Sequence, residues 1–346
     1  MARGISNQQR LGKLADILCG KRRMLIVIQD FPDPDAIAAA VALREIVRRL
    51  SRVECSVAHG GIVGRAENRA TVRYLGINLR LLQKIDTARF DLIALVDTQP
   101  GAGNNSLPPG TLPDIVIDHH PVRRFTRRVP YTDIRSRYGA TSTILYEYLQ
   151  EAGIVPDAPL ATALFYGIWS DTQDLGRNCG QADIDSFIRL HAMANKRMLR
   201  EIRYGRLPRL YFQMLDDALR NARLYGSAIV TGLGPIDNPD MIGEVADLLL
   251  RNRESRWALC YGFYSHRALF SVRTCDIACD AGKVAYRIAA RKGSGGGHAG
   301  SAGGQLPIEN DSAAARRRIE AMIVRRFLAL THQSEARGSR LVTFAD

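Results

Sequence analysis

The stretch LIVIQDFPDPDAIAAAVALREIV, residues 25–47, constrains the fold more than any other part of the chain. A β-branched apolar run, MLIVIQ at 24–29, meets Asp30, Asp33 and Asp35 and passes directly into AIAAAVALREIVRRL at 36–50, whose apolar positions recur at helical spacing. A run that is apolar throughout suits a strand buried on both faces. Strand, acidic loop and helix together therefore predict a parallel sheet covered by helices.

The same unit recurs. VECSVAHG (53–60) precedes the helical AENRATVRYLG, and DLIALVD (91–97) and PDIVIDHH (113–120) are further continuous apolar runs. Residues 139–151, 159–171 and 181–224 read as helices, the last interrupted at Leu207-Pro208. The pattern then changes. AIVTGL (228–233) is strand-like, a helix starts near Pro239, and WALCYGFY and ALFSVRT flank a short turn as a hairpin. KVAYRIAARKG is helical, GSGGGHAGSAGG (293–304) reads as a glycine loop, and SAAARRRIEAMIVRRFLALT is a final helix before a tail expected to fray from Gln333. The expected class is α/β: a parallel-sheet domain with helices on both faces over 1–195, a helical linker over 196–225, a smaller α+β domain over 226–332 and a flexible tail over 333–346.

Composition narrows the function. With 346 residues and 46% hydrophobic content the chain can bury two cores of roughly 150 residues each. No apolar run approaches the ~20 residues of a membrane span, and the first residues lack a signal-peptide core, so a cytoplasmic protein without a membrane partner is expected. The six cysteines are scattered without a CxxC pair, which argues against a disulfide framework and against structural zinc; Cys275 and Cys279 are four apart but have no histidine beside them. A net charge of +13, with arginines concentrated in RRFTRR (123–128), RLPRL (206–210) and ARRRIE (315–320), favours an anionic partner.

Three proposed strands end in acids: MLIVIQ at Asp30, Asp33 and Asp35, DLIALV at Asp97, and DIVI at Asp118-His119-His120. The carboxyl ends of parallel strands share one rim, where ligands of such sheets bind. An N-cap accounts for any single aspartate here, but several converging carboxylates repel one another unless a cation neutralises them. Asp171 adds an acid at a helix C-terminus, where the helix dipole disfavours it. Oxygen donors with one or two imidazoles and no thiolate suit Mn²⁺, with Mg²⁺ or Fe²⁺ as competitors.

PDPDA (32–36), VDT (96–98), DHHP (118–121) and GIWSDT (167–172) resemble the four ordered motifs of the DHH phosphoesterase family, and GSGGGHAGSAGG resembles the GGGH motif of its accessory DHHA1 domain. The resemblance runs in order from residue 24 to about 305 and implies a two-metal centre, most simply two Mn²⁺. Asp33 would bind the first ion, Asp35 the second, and Asp97 both. His119 and Asp171 would complete the second site, His120 would face the phosphate, and Asp118 would orient the histidines, which makes Asp97, Asp118 and His120 the implied catalytic set. Gln29 stands where the family usually carries a histidine ligand of the first ion, so that site is expected to be weaker. In the second domain Arg273, Gly295, Gly296, Gly297 and His298 match the family's substrate contacts, and Arg177 is a further phosphate candidate.

The function so implied is metal-dependent hydrolysis of phosphodiester or phosphomonoester bonds in short nucleotides (oligoribonucleotides, linear or cyclic dinucleotides, 3′-phosphoadenosine phosphate) in a cleft between the two domains. Two alternatives stand beside it, an inorganic polyphosphatase or pyrophosphatase and a non-hydrolysing nucleotide sensor. The expected partner is a short nucleic acid or nucleotide, and assembly as a homodimer is compatible with the sequence.

Overall fold

The computed structural model describes residues 5–108, 110–290, 292–308, 310 and 312–343, and the chain divides into two units, Met1–Gly205 and Arg206–Asp346. The first runs α1 (Asn7–Leu18), β1 (Arg23–Val27), α2 (Pro34–Leu50), β2 (Glu54–His59), α3 (Ala66–Leu75), β3 (Leu79–Leu81), β4 (Leu92–Val96), β5 (Ile115–Asp118), β6 (Tyr131–Ile134), α4 (Thr141–Glu151), α5 (Ala158–Thr172), α6 (Gln181–Met193) and α7 (Lys196–Arg203). Its six strands form a parallel sheet in the order β3-β2-β1-β4-β5-β6. Strand order reverses between β1 and β4, so their carboxyl ends border the crevice where sheets of this type bind ligands.

β4 and β5 are buried at every residue and β1 at all but Arg23, as continuous apolar runs require. α2 starts where Asp33 accepts the Ala36 N–H as N-cap, with Pro34 in the first turn, and carries Arg48 and Arg49 in its last. Its alanines let neighbouring helices come close: a Cβ on Gly167 of α5 would lie 2.6 Å from Ser142 Oγ and 3.0 Å from the Asp35 Cα.

The second unit runs α8 (Arg209–Asn221), β7 (Arg223–Tyr225), β8 (Ala228–Pro235), α9 (Asp240–Leu249), β9 (Trp257–Tyr264), β10 (Arg267–Thr274), α10 (Ala281–Ala289), β11 (Ser294–Gly297), β12 (Ser301–Pro307), α11 (Ala313–Leu330) and β13 (Ser339–Arg340). Its mixed sheet is ordered β11-β12-β10-β9-β8-β7-β13, with β8 and β9 parallel and the other pairs antiparallel. A separate core of Trp257, Phe270, Ile288, Ile323 and Phe327 packs against it. An α/β unit followed by a smaller α+β unit is the expected class.

Four local expectations are corrected. Residues 181–224 break at Leu207-Pro208 as expected, but also at Asn195, which caps a new helix by accepting the N–H groups of Arg197 and Met198, and they end in the strand β7. β3 and β6 were not anticipated, being short and weakly patterned. The expected glycine loop is a strand pair, β11 and β12. Its glycines serve close packing: a Cβ on Gly295 would lie 2.5 Å from the Ala285 carbonyl, and Gly297 has φ +144°. Part of the tail expected to fray is paired, Ser339–Arg340 with Leu224 and Arg223; residues 344–346 lie outside the described ones. Among the described residues all six cysteines are free thiols, and no helix is long and apolar enough to cross a membrane.

Candidate metal centre

The rim of the first sheet gathers the acids from three neighbouring strands. Asp33 and Asp35 follow β1, Asp97 follows β4, and Asp118 ends β5, with His119 and His120 behind it. Asp171 joins them from the last turn of α5. Asp97 is a non-glycine residue with φ +58°, a backbone that costs roughly 1–3 kcal/mol. Its N–H bonds to Ile117 O (3.0 Å), and its carboxylate accepts from Thr141 Oγ1 (2.8 Å) and Gln29 Nε2 (2.6 Å). Gln29 Nε2 also reaches Asp33 Oδ2 (3.3 Å). Asp35 is wholly buried and accepts the backbone N–H groups of Thr141 (2.7 Å) and Ser142 (2.8 Å) at the start of α4.

The histidines are held from behind. His119 Nδ1 lies 3.2 Å from Tyr138 O, which a ring N–H there satisfies, and Nε2 faces Asp171 (3.4 Å) and Asp97 (3.5 Å). His120 Nδ1 lies 2.8 Å from Asp118 Oδ1, while Asp118 Oδ2 accepts from Gln99 Nε2 (2.7 Å). Gln99 Oε1 in turn accepts from Arg123 N and Thr126 Oγ1, both at 2.8 Å, tying the RRFTRR segment to the back of Asp118. Thr141, Ser142, Tyr138 and Gln99 were not singled out in the sequence. Their polar groups carry no motif, and only the fold places them behind the acids.

The electrostatics follow from crowding. Burial raises the Asp33 carboxyl to about 8, with Asp171 and Asp35 adding to the shift. Burial and then Asp171 raise Asp35 to about 6, and burial, Asp35 and Asp33 push Asp97 well above the carboxylate range. Burial opposes charge on His119, but Asp171 and Asp97 outweigh it and raise the imidazole well above its usual value. Asp118 goes the other way: burial would raise it, yet His120 beside it holds it well below the usual range. Protons are held on the rim because like charges cannot all ionise there without a cation.

Ligand atoms of Asp35, His119 and Asp171 lie within 4.8 Å of one another, as do those of Asp97, Asp118, His119 and His120. Carboxylate oxygens with imidazole nitrogen and no thiol fit a hard or borderline divalent cation such as Mn²⁺, Mg²⁺ or Fe²⁺. Arg177 lies half-buried in the turn after α5, with its backbone N–H bonded to Thr172 O (2.8 Å).

The substrate residues expected in the second unit are neighbours there. Arg273 on β10 pairs with Ser301 of β12, and β12 pairs with Gly295, Gly296 and Gly297 of β11. His298 follows in the connecting turn, its N–H donating to Ser301 O (2.8 Å). The Arg273 guanidinium is buried and engaged within this unit, with Asp247 Oδ1 and Ser271 Oγ each at 2.5 Å. The first turn of α10 donates to the carbonyls of Ala299 (2.6 Å) and His298 (3.1 Å), so those amides are committed to the turn.

Comparison with known proteins finds matches to both units. The model of the DHH family, N-terminal domain, matches residues 23–168, and that of the DHHA1 domain matches 226–325. An uncharacterized protein of Methanocaldococcus jannaschii is 33% identical over 311 residues, 88% of this chain and 63% of its own length. A probable manganese-dependent inorganic pyrophosphatase of Enterococcus faecalis is 26% identical over 174 residues, 50% of this chain and 55% of its own. The chain thus spans less than two thirds of the length of these relatives. Among solved structures, an exopolyphosphatase-related protein from Bacteroides fragilis shares the fold at TM-score 0.69 and 15% identity, over 96% of this chain and 100% of its own. RecJ from Thermus thermophilus, in complex with Mn²⁺, does so at TM-score 0.51 and 16% identity, over 92% of this chain and 55% of its own. The two domain models follow one another in the order in which the motifs were read, and the chain belongs to the DHH/DHHA1 phosphoesterase family.

Proposed function

We propose that the chain is a divalent-cation-dependent phosphoesterase acting on short nucleotides: oligoribonucleotides, dinucleotides or 3′-phosphoadenosine phosphate. The observation that carries this reading is the convergence of Asp35, His119 and Asp171 within 4.8 Å of one another on one rim, with Asp97 Oδ1 3.5 Å from His119 Nε2. A bound divalent cation there would neutralise the carboxylates, polarise a phosphoryl oxygen and lower the pKa of bound water.

The chain's own groups do the rest. Asp118 fixes His120 through Nδ1, which leaves Nε2 to pass a proton to the departing oxygen. Tyr138 O orients His119, and the amides of Thr141 and Ser142 aim Asp35. The net charge of +13 draws polyanions to the surface. Assignment of Arg273, Gly295–Gly297 and His298 to the nucleotide, and of Arg177 to phosphate, belongs to this proposal.

A second reading, hydrolysis of inorganic pyrophosphate or polyphosphate, is favoured by the names of the Enterococcus faecalis and Bacteroides fragilis proteins. The accessory DHHA1 domain supports the nucleotide reading over it. A panel of 3′-phosphoadenosine phosphate, linear and cyclic dinucleotides, a five-nucleotide RNA, pyrophosphate and polyphosphate, each incubated with Mn²⁺, tests both. Turnover of one or more nucleotides is expected. Turnover of the inorganic substrates alone would replace the first reading by the second, and tight nucleotide binding without product would make the protein a sensor.

A further inference from the structure

Gln29 lies between two carboxylates of the rim and bonds to both through one nitrogen. Its Nε2 donates to Asp97 Oδ2 at 2.6 Å and to Asp33 Oδ2 at 3.3 Å. The other oxygens of these acids are also engaged, Asp33 Oδ1 by the Ala36 N–H (2.9 Å) and Asp97 Oδ1 by Thr141 Oγ1 (2.8 Å). In this orientation the amide nitrogen faces both acids and its two hydrogens serve one of them each.

The two sides of Asp97 differ in what they offer a cation. On the His119 side, Asp35, His119 and Asp171 converge within 4.8 Å, and Asp97 Oδ1 lies 3.5 Å from His119 Nε2. That is three carboxylates and an imidazole, enough anionic donors for one divalent ion. On the Gln29 side there are two carboxylates and one neutral amide, and the amide hydrogens already occupy the space between the acids. Asp33 belongs to none of the convergent ligand groups among the described residues.

We propose that this chain holds a single divalent cation, on Asp35, Asp97, His119 and Asp171, and that the Gln29 amide joins Asp33 to Asp97 where a second ion would otherwise be needed. The inference rests on the reading of the rim as a cation site, and it concerns the number of ions rather than the substrate. Gln29 is thus a positioning residue, which keeps Asp33 and Asp97 together by hydrogen bonds and makes Asp97 a ligand of one ion only.

The test is metal stoichiometry on the full chain, stripped with chelator and titrated with Mn²⁺ by calorimetry, with electron paramagnetic resonance as a second readout. Wild type is expected to take one tight ion per chain and to give the six-line spectrum of isolated Mn²⁺. Gln29→His supplies a neutral imidazole donor, and should raise the count to two and give the spectrum of an exchange-coupled pair. Gln29→Met, which removes the amide while keeping its length, should remain at one. Two tight ions in the wild type, or one ion in a folded Gln29→His protein, would overturn the inference and leave the proposed function standing. One ion on a protein that hydrolyses nothing in the substrate panel supports the inference while removing that function. No ion bound by either protein overturns both.

Discussion

The first unit contains two buried polar clusters of similar size and opposite balance. Around the wholly buried Asp133, Arg10 Nη1 donates at 2.5 Å, Arg135 Nη2 at 2.8 Å and Tyr148 OH at 2.7 Å, while Arg135 also pairs with Glu147. Two guanidinium groups meet two carboxylates, and the remaining donors reach Tyr138 OH and Asn7 Oδ1. At the rim, Asp33, Asp35, Asp97 and Asp171 gather around a single deeply buried imidazole, that of His119. The first cluster is complete in itself and joins α1, β6 and α4. The second has excess acceptors and holds its protons against their usual affinities, which fits the proposed cation site rather than a support for the fold.

Substitutions that exchange the roles of the two clusters test this contrast. The largest effect is expected for Asp97→Asn, which removes the carboxylate that faces both His119 and Gln29. Hydrolysis should fall by on the order of 10²–10³-fold or more, as when a preorganised electrostatic group is lost. The metal-free fold should be as stable as wild type or more so, because a crowded buried acid has become neutral. Near wild-type turnover in a folded Asp97→Asn protein would show that the rim is not the reacting site.

The mirror experiment is Arg135→Met. It leaves Asp133 and Glu147 without their main counter-charge, and breaking a buried pair in this way costs about 3–5 kcal/mol. Urea unfolding should show that loss while Mn²⁺ content per folded chain is unchanged. An equal loss of metal would mean that the two clusters are coupled and do not divide support from chemistry.

A pH series tests the crowding of the rim by its sign. The folded-state pKa of Asp33 is raised from 3.8 to about 8 and that of Asp35 to about 6, so the native state binds more protons than the unfolded chain across that window. Stability of the metal-free protein should therefore fall as pH rises from about 4 towards 8, and the raised His119 adds to the decline above 6.5. Asp118, held low, contributes stability that is lost only as pH falls below 3.8. Urea midpoints in chelator at pH 4, 6 and 8 should decrease in that order, and saturating Mn²⁺ should flatten the trend. A metal-free midpoint highest at pH 8 would contradict the crowding of the rim.

The rim acids were legible in the sequence because each follows an apolar strand. Period and position alone bring Asp33, Asp35, Asp97 and Asp118 to one edge, and the ordered motifs add Asp171. The Asp133 cluster was not legible. Asp133 stands in YTDIRSRYG, on a four-residue strand with no strong pattern, and Arg10 reaches it across 123 positions of sequence. The parallel core was readable from continuous burial, whereas the break at Asn195 depended on a single side-chain cap inside a pattern that is otherwise helical. The glycine stretch misled for a physical reason. Glycine signals both a flexible loop and a strand pressed against a helix, and only the approach of Gly295 to the Ala285 carbonyl decides between them.

The smallest predicted effect lies behind the rim, at a residue that supports Asp118. Gln99 is neutral, buried and fully used: its nitrogen supports Asp118, and its oxygen accepts from Arg123 N and Thr126 Oγ1. Gln99→Leu should reduce kcat/KM about tenfold, the lower range for loss of a residue behind a reacting group, with Mn²⁺ content unchanged. Gln99→Glu keeps the acceptor for the arginine segment but sets a second carboxylate against Asp118. It should therefore hold that segment in place while lowering activity further than Leu does. If Glu were instead the milder change, Gln99 would act through the RRFTRR segment rather than through Asp118 and His120, and the support it gives the histidine would be incidental.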